Sequence, residues 1–266
     1  MSSLSFLKYQ GAGNDFLLAD NRSSSYNLLT QESIAGLCDR RFGIGADGLI
    51  LLEQSSLADF SMKYFNADGR PGSFCGNGAR CIVRFAASLG IVRQTVSFEA
   101  ADGLHQAGIT EKGEVWLRMR DVEKITLHSE FVELNTGSPH LVVSVTDLAN
   151  TDVVSLGKKI RQTQPYQENG INVNFMQRTP ADDQIKLRTY ERGVEDETYS
   201  CGTGAVAAAI ACAPSAEGAY QFTVVTKGGL LSVHYTKKEA RFEDIILCGP
   251  AAFVFETSFL IKGSTV

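Results

Sequence analysis

Cys75-Gly76-Asn77-Gly78-Ala79 and Cys201-Gly202-Thr203-Gly204-Ala205 are two versions of one phrase, set 126 residues apart, one in each half of the chain. Each is followed by a run of helical character, Arg80 to Leu89 and Val206 to Ala213. The pattern predicts a helix that begins at each cysteine. A helix N-terminus carries unsatisfied N–H groups and the positive end of the helix dipole. That setting favours a thiolate and binds carboxylates. Two such settings in one chain point to two thiols that act on one small anionic substrate.

The duplication extends outward from the cysteines. Gly11 and Gly137 keep the 126-residue offset, and so do Asn14 and His140. Their contexts are Tyr9-Gln10-Gly11-Ala12-Gly13-Asn14-Asp15-Phe16 and Asn135-Thr136-Gly137-Ser138-Pro139-His140. A polar segment with an aromatic residue precedes each cysteine, Tyr64-Phe65-Asn66-Ala67-Asp68-Gly69 and Tyr190-Glu191-Arg192-Gly193. The order is therefore Gly-rich turn, polar segment and Cys-helix, twice over. A long repeat with two copies implies two similar lobes rather than a solenoid.

Composition narrows the class. The 266 residues suit one large domain or two of ordinary size. With 44% hydrophobic and 21% charged residues the chain reads as an ordinary globular protein. A net charge of −5 argues against nucleic acid as a partner, which calls for a basic patch. No apolar run approaches the ~20 residues of a membrane span, and Met1 to Lys8 lacks a signal-peptide core. Six cysteines in so long a chain do not form a secreted disulfide framework, and the absence of CxxC with four scattered histidines argues against zinc. The expectation is a cytoplasmic protein with reduced thiols, no membrane partner and no metal.

Many short strands are expected around one strong helix per half. In the first half they are Phe6–Tyr9, Asp15–Ala19, Leu49–Leu52, Ser61–Phe65, Thr95–Ala100 and Glu114–Met119. In the second they are Phe131–Asn135, Val173–Gln177, Ile185–Tyr190, Gln221–Thr226, Leu230–His234, Ala240–Leu247 and Ala252–Phe255. Thr30 to Asp39 and Ser155 to Gln162 read as further helices, with Thr30 as an N-cap. Asp102-Gly103 and Gly228-Gly229 mark hairpins. The boundary between repeats is expected at Asp121 to Lys124. Gly43-Ile44-Gly45-Ala46-Asp47-Gly48 matches GxGxxG literally, but a dinucleotide fingerprint follows a strand and opens a helix. Here helix precedes and strand follows, so nucleotide binding is not expected.

Taken together, Tyr9 to Phe16, Phe65-Asn66-Ala67-Asp68-Gly69, Cys75 to Cys81, Asn135 to His140, Tyr190 to Gly193 and Cys201 to Ala205 resemble diaminopimelate epimerase, in that family's order and across nearly the whole chain. The resemblance implies an α/β fold of the α+β kind. It has two pseudo-symmetric lobes, each an antiparallel β-barrel around a central helix, with the active site in the cleft between them. The lobes would be residues 1–121 and 122–249, with a strand at about 250–266 returning to the first. The implied activity is cofactor-independent interconversion of LL- and meso-diaminopimelate, for lysine and peptidoglycan synthesis, in a possible homodimer. Implied for individual residues are thiol control by His140 and Glu191, and substrate contacts from Asn14, Asn66, Asn172, Glu191 and Arg192. Two positions depart from the family's pattern. Gly48 stands where the family usually has Gln, and Ser138 where it usually has Asn. One extra residue lies between Glu191 and Cys201, and a glycine usual in that stretch is absent. The lost carboxamides are expected to leave room for water at the distal end and to admit other amino acids, glutamate first.

The chemistry is consistent with that class. An α-proton beside a carboxylate is weakly acidic, so removing it without pyridoxal phosphate calls for positioning and electrostatics. Inversion needs one base on each face of the carbon. Cysteine suits the role because its pKa falls to about 3.5–7.5 at helix N-termini. The N–H groups of Gly76, Asn77, Gly202 and Thr203 would hold the α-carboxylate. Cys201 would be base and Cys75 acid in one direction, and the reverse in the other. Cys38, Cys81, Cys212 and Cys248 lack the motif and read as core residues. Asn14 and Asn66 sit in turns, where asparagine is common in any case. Three alternatives stay open at this point: a proline-type racemase, a broader amino-acid racemase, and a thiol redox or amino-acid-binding protein. Asn77 and the Glu191-Arg192 pair argue against the first. Solvent-deuterium incorporation at a substrate α-carbon separates the enzymes from the last.

Overall fold

The computed structural model describes residues 2–92 and 94–261. The chain divides into two compact units, Met1–Leu117 with Pro250–Val266, and Arg118–Gly249. In the first, β1 (Ser2–Gly11) and β2 (Asn14–Asp20) lead to helix α1 (Gln31–Cys38), then β3 (Gly48–Glu53) and β4 (Phe60–Asn66). Helix α2 (Gly76–Ser88) follows, and then β5 (Thr95–Ala100), β6 (Gly103–Ile109) and β7 (Val115–Arg118).

The second unit opens with β8 (Ile125–Leu127), β9 (Phe131–Asn135) and β10 (Pro139–Ser144). Helices α3 (Val153–Arg161) and α4 (Tyr166–Asn169) precede β11 (Asn172–Arg178), β12 (Gln184–Glu191) and β13 (Asp196–Thr198). Helix α5 (Gly202–Ala211), β14 (Gly218–Thr226), β15 (Gly229–Lys238) and β16 (Arg241–Gly249) complete it. The last strand, β17 (Ala252–Ile261), pairs antiparallel with β1 in the first unit. The expected returning strand ran to residue 266; residues 262–266 lie outside those described.

The two units repeat one pairing pattern. In the first, β1/β2 is antiparallel, β2/β3 parallel, β3/β4 antiparallel, β4/β5 parallel, and β5/β6 and β6/β7 antiparallel. In the second, β9/β10, β10/β11, β11/β12, β12/β14, β14/β15 and β15/β16 follow the same alternation. The sheets are thus largely antiparallel, with two parallel neighbours each. A parallel pair needs a crossover, and α1 and α2 in one unit, α3 and α5 in the other, supply it.

α2 packs against β1, β2, β3, β4, β6 and β17, so the sheet curls around it. α5 packs against β9, β10, β11, β12, β14, β15 and β16. A helix that is apolar all round belongs in a core. Ala205-Val206-Ala207-Ala208-Ala209-Ile210 is such a run, and every residue of it is buried. β3 reads Gly-Leu-Ile-Leu-Leu with all five buried, as a strand covered on both faces requires. At α1 the Thr30 hydroxyl accepts from Ser33 N at 3.3 Å, and the Ser33 hydroxyl accepts from Thr30 N at 2.8 Å. This is a capping box, worth about 1 kcal/mol.

Five elements were not named from sequence: β8, β10, β13, α4 and β6, of which only the Asp102-Gly103 turn was read. β10 hides behind Pro139, which reads as a turn residue but is tolerated at the first position of a strand. GxGxxG lies between α1 and β3, the order expected from sequence.

Candidate active site

Cys75 and Cys201 are the N-cap residues of α2 and α5. Their backbones are nearly superimposable in dihedral terms, φ −122°, ψ 112° at Cys75 and φ −122°, ψ 115° at Cys201. Neither side chain caps its own helix. Each carbonyl accepts the first helical bond, from Ala79 N at 2.8 Å and Ala205 N at 2.9 Å. The helices begin directly after the cysteines, so Gly76 and Asn77, and Gly202 and Thr203, occupy first turns whose N–H groups lack helical acceptors.

In the first unit the α2 start is tied to the Gly-rich turn. Asn77 Nδ2 donates to Asn14 Oδ1 at 3.2 Å, and Asn77 Oδ1 accepts from Arg80 at 2.8 Å. Asn14 Nδ2 in turn donates to Asp47 Oδ2. Behind it lies a charged cluster. Arg40 reaches Asp15 at 2.6 Å and Asp47 at 2.7 Å, and Lys8 reaches Asp15 at 2.7 Å. Burial pushes the Asp15 carboxyl up, but the hydrogen bonds and charges of Arg40 and Lys8 outweigh it and hold the pKa well below the usual carboxylate range. The loop before Cys75 is clamped differently. Phe74 stacks on His105 at 4.1 Å, His105 stacks on Phe98 at 5.2 Å, and His105 Nε2 lies 2.8 Å from Asp102 Oδ1. Asn66, at the end of β4, is exposed and pairs in register with Gly48.

In the second unit the site residues project from β10, β11 and β12, the strands against which α5 packs. Asn172 Nδ2 donates to Ser138 Oγ at 2.9 Å and to Pro139 O at 3.1 Å, and its Oδ1 accepts from Arg192 N at 2.9 Å. The Arg192 guanidinium donates to Asn169 O at 3.1 Å and Ser138 Oγ at 3.4 Å. Glu191 Oε2 accepts from Thr198 Oγ1 at 2.9 Å. Cys201 Sγ lies 3.5 Å from Thr203 Oγ1, and Thr136 Oγ1 donates to Thr203 O at 2.9 Å.

His140 is fully buried. Burial, reinforced by the positive charge of Arg192, drives its pKa down to about 3, against an opposing hydrogen bond from Asn174. It is therefore a neutral imidazole at physiological pH. Burial likewise pushes the Cys38 thiol up to about 11, and the Cys81 thiol well above the usual range. This is the expected chemistry of core cysteines.

Two expectations change. Gly48 does not open space for water. A Cβ there would meet Tyr64 Cε2 at 2.6 Å and Tyr64 Oη at 3.2 Å, besides the Phe65 carbonyl. The Tyr64 ring occupies the room that a longer residue 48 would need. Ser138 does not leave a gap either, because its hydroxyl is held between Asn172 and Arg192. Sequence reading also missed Asn174, Thr136, Asp47 and Arg80. Asn174 was accessible, since Asn172-Val173-Asn174 on a strand puts two carboxamides on one face.

Among the described residues no three His, Cys, Asp or Glu side chains cluster as a metal site would require. No helix among them is long and apolar enough to cross a membrane.

Two units, each with a cysteine at the head of its central helix, define the class of fold. The same fold occurs in a phenazine biosynthesis protein of the PhzF family from Bacillus anthracis, with TM-score 0.77, 16% identity, 98% of this chain covered and 100% of that one. It occurs also in a hydroxyproline epimerase from Agrobacterium vitis, with TM-score 0.64, 17% identity, 96% of this chain covered and 92% of that one. The family model for diaminopimelate epimerase matches residues 6–125 and 132–254. A diaminopimelate epimerase from Flavobacterium psychrophilum is 49% identical over 252 residues, covering 94% of this chain and 98% of the relative. One from Chlorobaculum tepidum is 48% identical over 209 residues, covering 75% and 80%. The chain belongs to the diaminopimelate epimerase family.

Proposed function

We propose that the protein interconverts LL- and meso-diaminopimelate by inverting one α-carbon, with Cys75 and Cys201 as the two bases. The observation that carries the two-base reading is the equivalence of the two caps, φ −122° with ψ 112° and φ −122° with ψ 115°, in a chain of this family. In the proposed reaction the thiolate of one cysteine takes the α-proton while the thiol of the other gives its proton to the opposite face. The roles are exchanged afterwards, so neither direction needs a separate acid. The first-turn N–H groups at Gly76, Asn77, Gly202 and Thr203 would hold the α-carboxylate and stabilise it as charge builds.

Asn14, Asn66, Asn172, Glu191 and Arg192 would bind the remainder of the substrate. Arg192 suits a carboxylate through its planar fork, and Glu191 an ammonium. The hydrogen bonds that already orient Asn14, Asn172 and Arg192 support this, because a pre-ordered clamp loses little on binding. His140 and Glu191 would set the thiol states. The reaction would use neither metal nor pyridoxal phosphate. It would take place in the cytoplasm, in lysine and peptidoglycan precursor synthesis, with a homodimer as the proposed assembly and no membrane or nucleic-acid partner.

The test is α-proton exchange. The wild type should incorporate solvent deuterium at one α-carbon of diaminopimelate as it interconverts the isomers. Cys75→Ala and Cys201→Ala should each abolish interconversion while keeping the wild-type fold by circular dichroism. Interconversion by Cys75→Ala at near the wild-type rate would end the two-base proposal. Loss of activity on chelation, with recovery on adding a divalent ion, would end the metal-free one.

A further inference from the structure

His140 carries an unfinished hydrogen bond. Its Nε2 is buried and has no partner, although the whole residue is closed to solvent. Its other nitrogen, Nδ1, lies 3.0 Å from Asn174 Nδ2. Which of the two groups donates is decided by the surroundings of Asn174. Its Nδ2 also faces Leu141 O at 3.1 Å and Asn172 O at 3.3 Å. Its Oδ1 accepts from Thr189 Oγ1 at 3.0 Å. Turning the amide over would set its oxygen against two carbonyl oxygens, so Nδ2 is the donor. His140 Nδ1 must then accept, and the ring proton must sit on Nε2.

We propose that Asn174, backed by Thr189, is a positioning residue of the reaction: it holds His140 as the neutral Nε2–H tautomer, and so presents one fixed donor to an anion formed at the start of α5. This deepens the two-base reading above and rests on it. The register of the sheet builds the relay. His140 pairs with Asn172, and Asn174 with Thr189, which places the residues on neighbouring strands beneath α5. A buried donor without an acceptor is costly and is kept where a ligand or a charge completes it. The start of α5 is where negative charge gathers. A Cβ at Gly204, in its first turn, would abut both Asn174 Oδ1 and Cys201 Sγ, the latter at 3.3 Å. The acceptor is either the Cys201 thiolate or a carboxylate of bound substrate, and the two share the same chemistry.

The decisive measurement is long-range ¹H–¹⁵N correlation on ¹⁵N-histidine-labelled protein, with His140 assigned by its absence in His140→Gln. In the free wild type at pH 7.5, Nδ1 should show the shift of a bare nitrogen and Nε2 that of a protonated one. An Nδ1–H tautomer or an imidazolium would overturn the proposal whatever the activity. Asn174→Asp, which cannot donate, should move the proton to Nδ1 and lower kcat about a hundredfold with little change in KM. Thr189→Val should shift the tautomer less and lower kcat less. Asn174→Asp with wild-type kcat and a switched tautomer would overturn the positioning role alone. Two further arms separate the acceptors. A change in Nε2–H between wild type and Cys201→Ala assigns the thiolate. A change on adding diaminopimelate to Cys201→Ala assigns the substrate. No change in either arm would overturn the donor role, while the two-base proposal would stand or fall on deuterium exchange.

Discussion

Gly204→Ala sets a methyl group against an immobile neighbour, and the repeat supplies its own control at Gly78. Both glycines are the third residue of their helix. At Gly204 the added Cβ would collide with Asn174 Oδ1 and come within 3.2 Å of Cys201 Cβ. That oxygen cannot withdraw cheaply, because its amide is tied at both ends, to Thr189 at 3.0 Å and to Leu141 O at 3.1 Å. At Gly78 the nearest atom is Ile50 Cδ1 at 2.8 Å, the free end of a flexible side chain, followed by Met62 Cε at 3.4 Å. Alanine gains up to about 1 kcal/mol of helix propensity at either site. Overpacking costs about 1–3 kcal/mol, and the upper part of that range applies where the neighbour is held. Gly204→Ala should therefore lose about 1–2 kcal/mol, seen as a fall in Tm of roughly 3–6 °C. Gly78→Ala should stay within about 1 kcal/mol of the wild type. Activity should separate them more sharply. A shift of about 1 Å in Asn174 and Cys201 lowers kcat on the order of a hundredfold, whereas Gly78→Ala leaves Asn174 untouched. The assays are thermal unfolding and the rate of solvent-deuterium uptake into diaminopimelate. Equal rates in the two variants would refute the idea that Asn174 and the start of α5 are held in mutual register.

Thiol labelling of the native protein with iodoacetamide at pH 8 should spare Cys38 and Cys81, whose thiols burial keeps protonated; mass spectrometry showing early modification of either would contradict the packing described. Asp15→Ala strands the buried Lys8 beside its former partner and should cost about 3 kcal/mol at pH 7, measured by urea unfolding. Because the folded Asp15 pKa is depressed, its contribution is complete above the unfolded value near 4 and is lost as pH falls through the folded value, so the gap between wild type and variant should narrow only in acid. A gap that is constant from pH 7 to pH 2 would assign the loss to packing rather than to charge.

The sequence by itself determined the duplication, the two cysteine-headed helices and the family. Each of these rests on short-range chemistry: a cysteine, two glycines and an alanine before a helical run make the same local structure wherever they occur. The structure bears out the two-lobed α+β fold, but each unit holds two parallel pairs, β2/β3 with β4/β5 and β10/β11 with β12/β14, where the sequence led to antiparallel sheet alone. What a side chain meets across the sheet was not legible. Gly48 promised space, and the ring of Tyr64, from the neighbouring strand, fills it. Ser138 promised a missing contact, and its hydroxyl is engaged by Asn172 and Arg192 from 34 and 54 residues away. The tautomer of His140 depends on a carboxamide 34 residues on, and that carboxamide's orientation depends on a threonine 15 residues beyond it. Such relations are set by register between strands, and register is fixed only when the strands pack together on their helix.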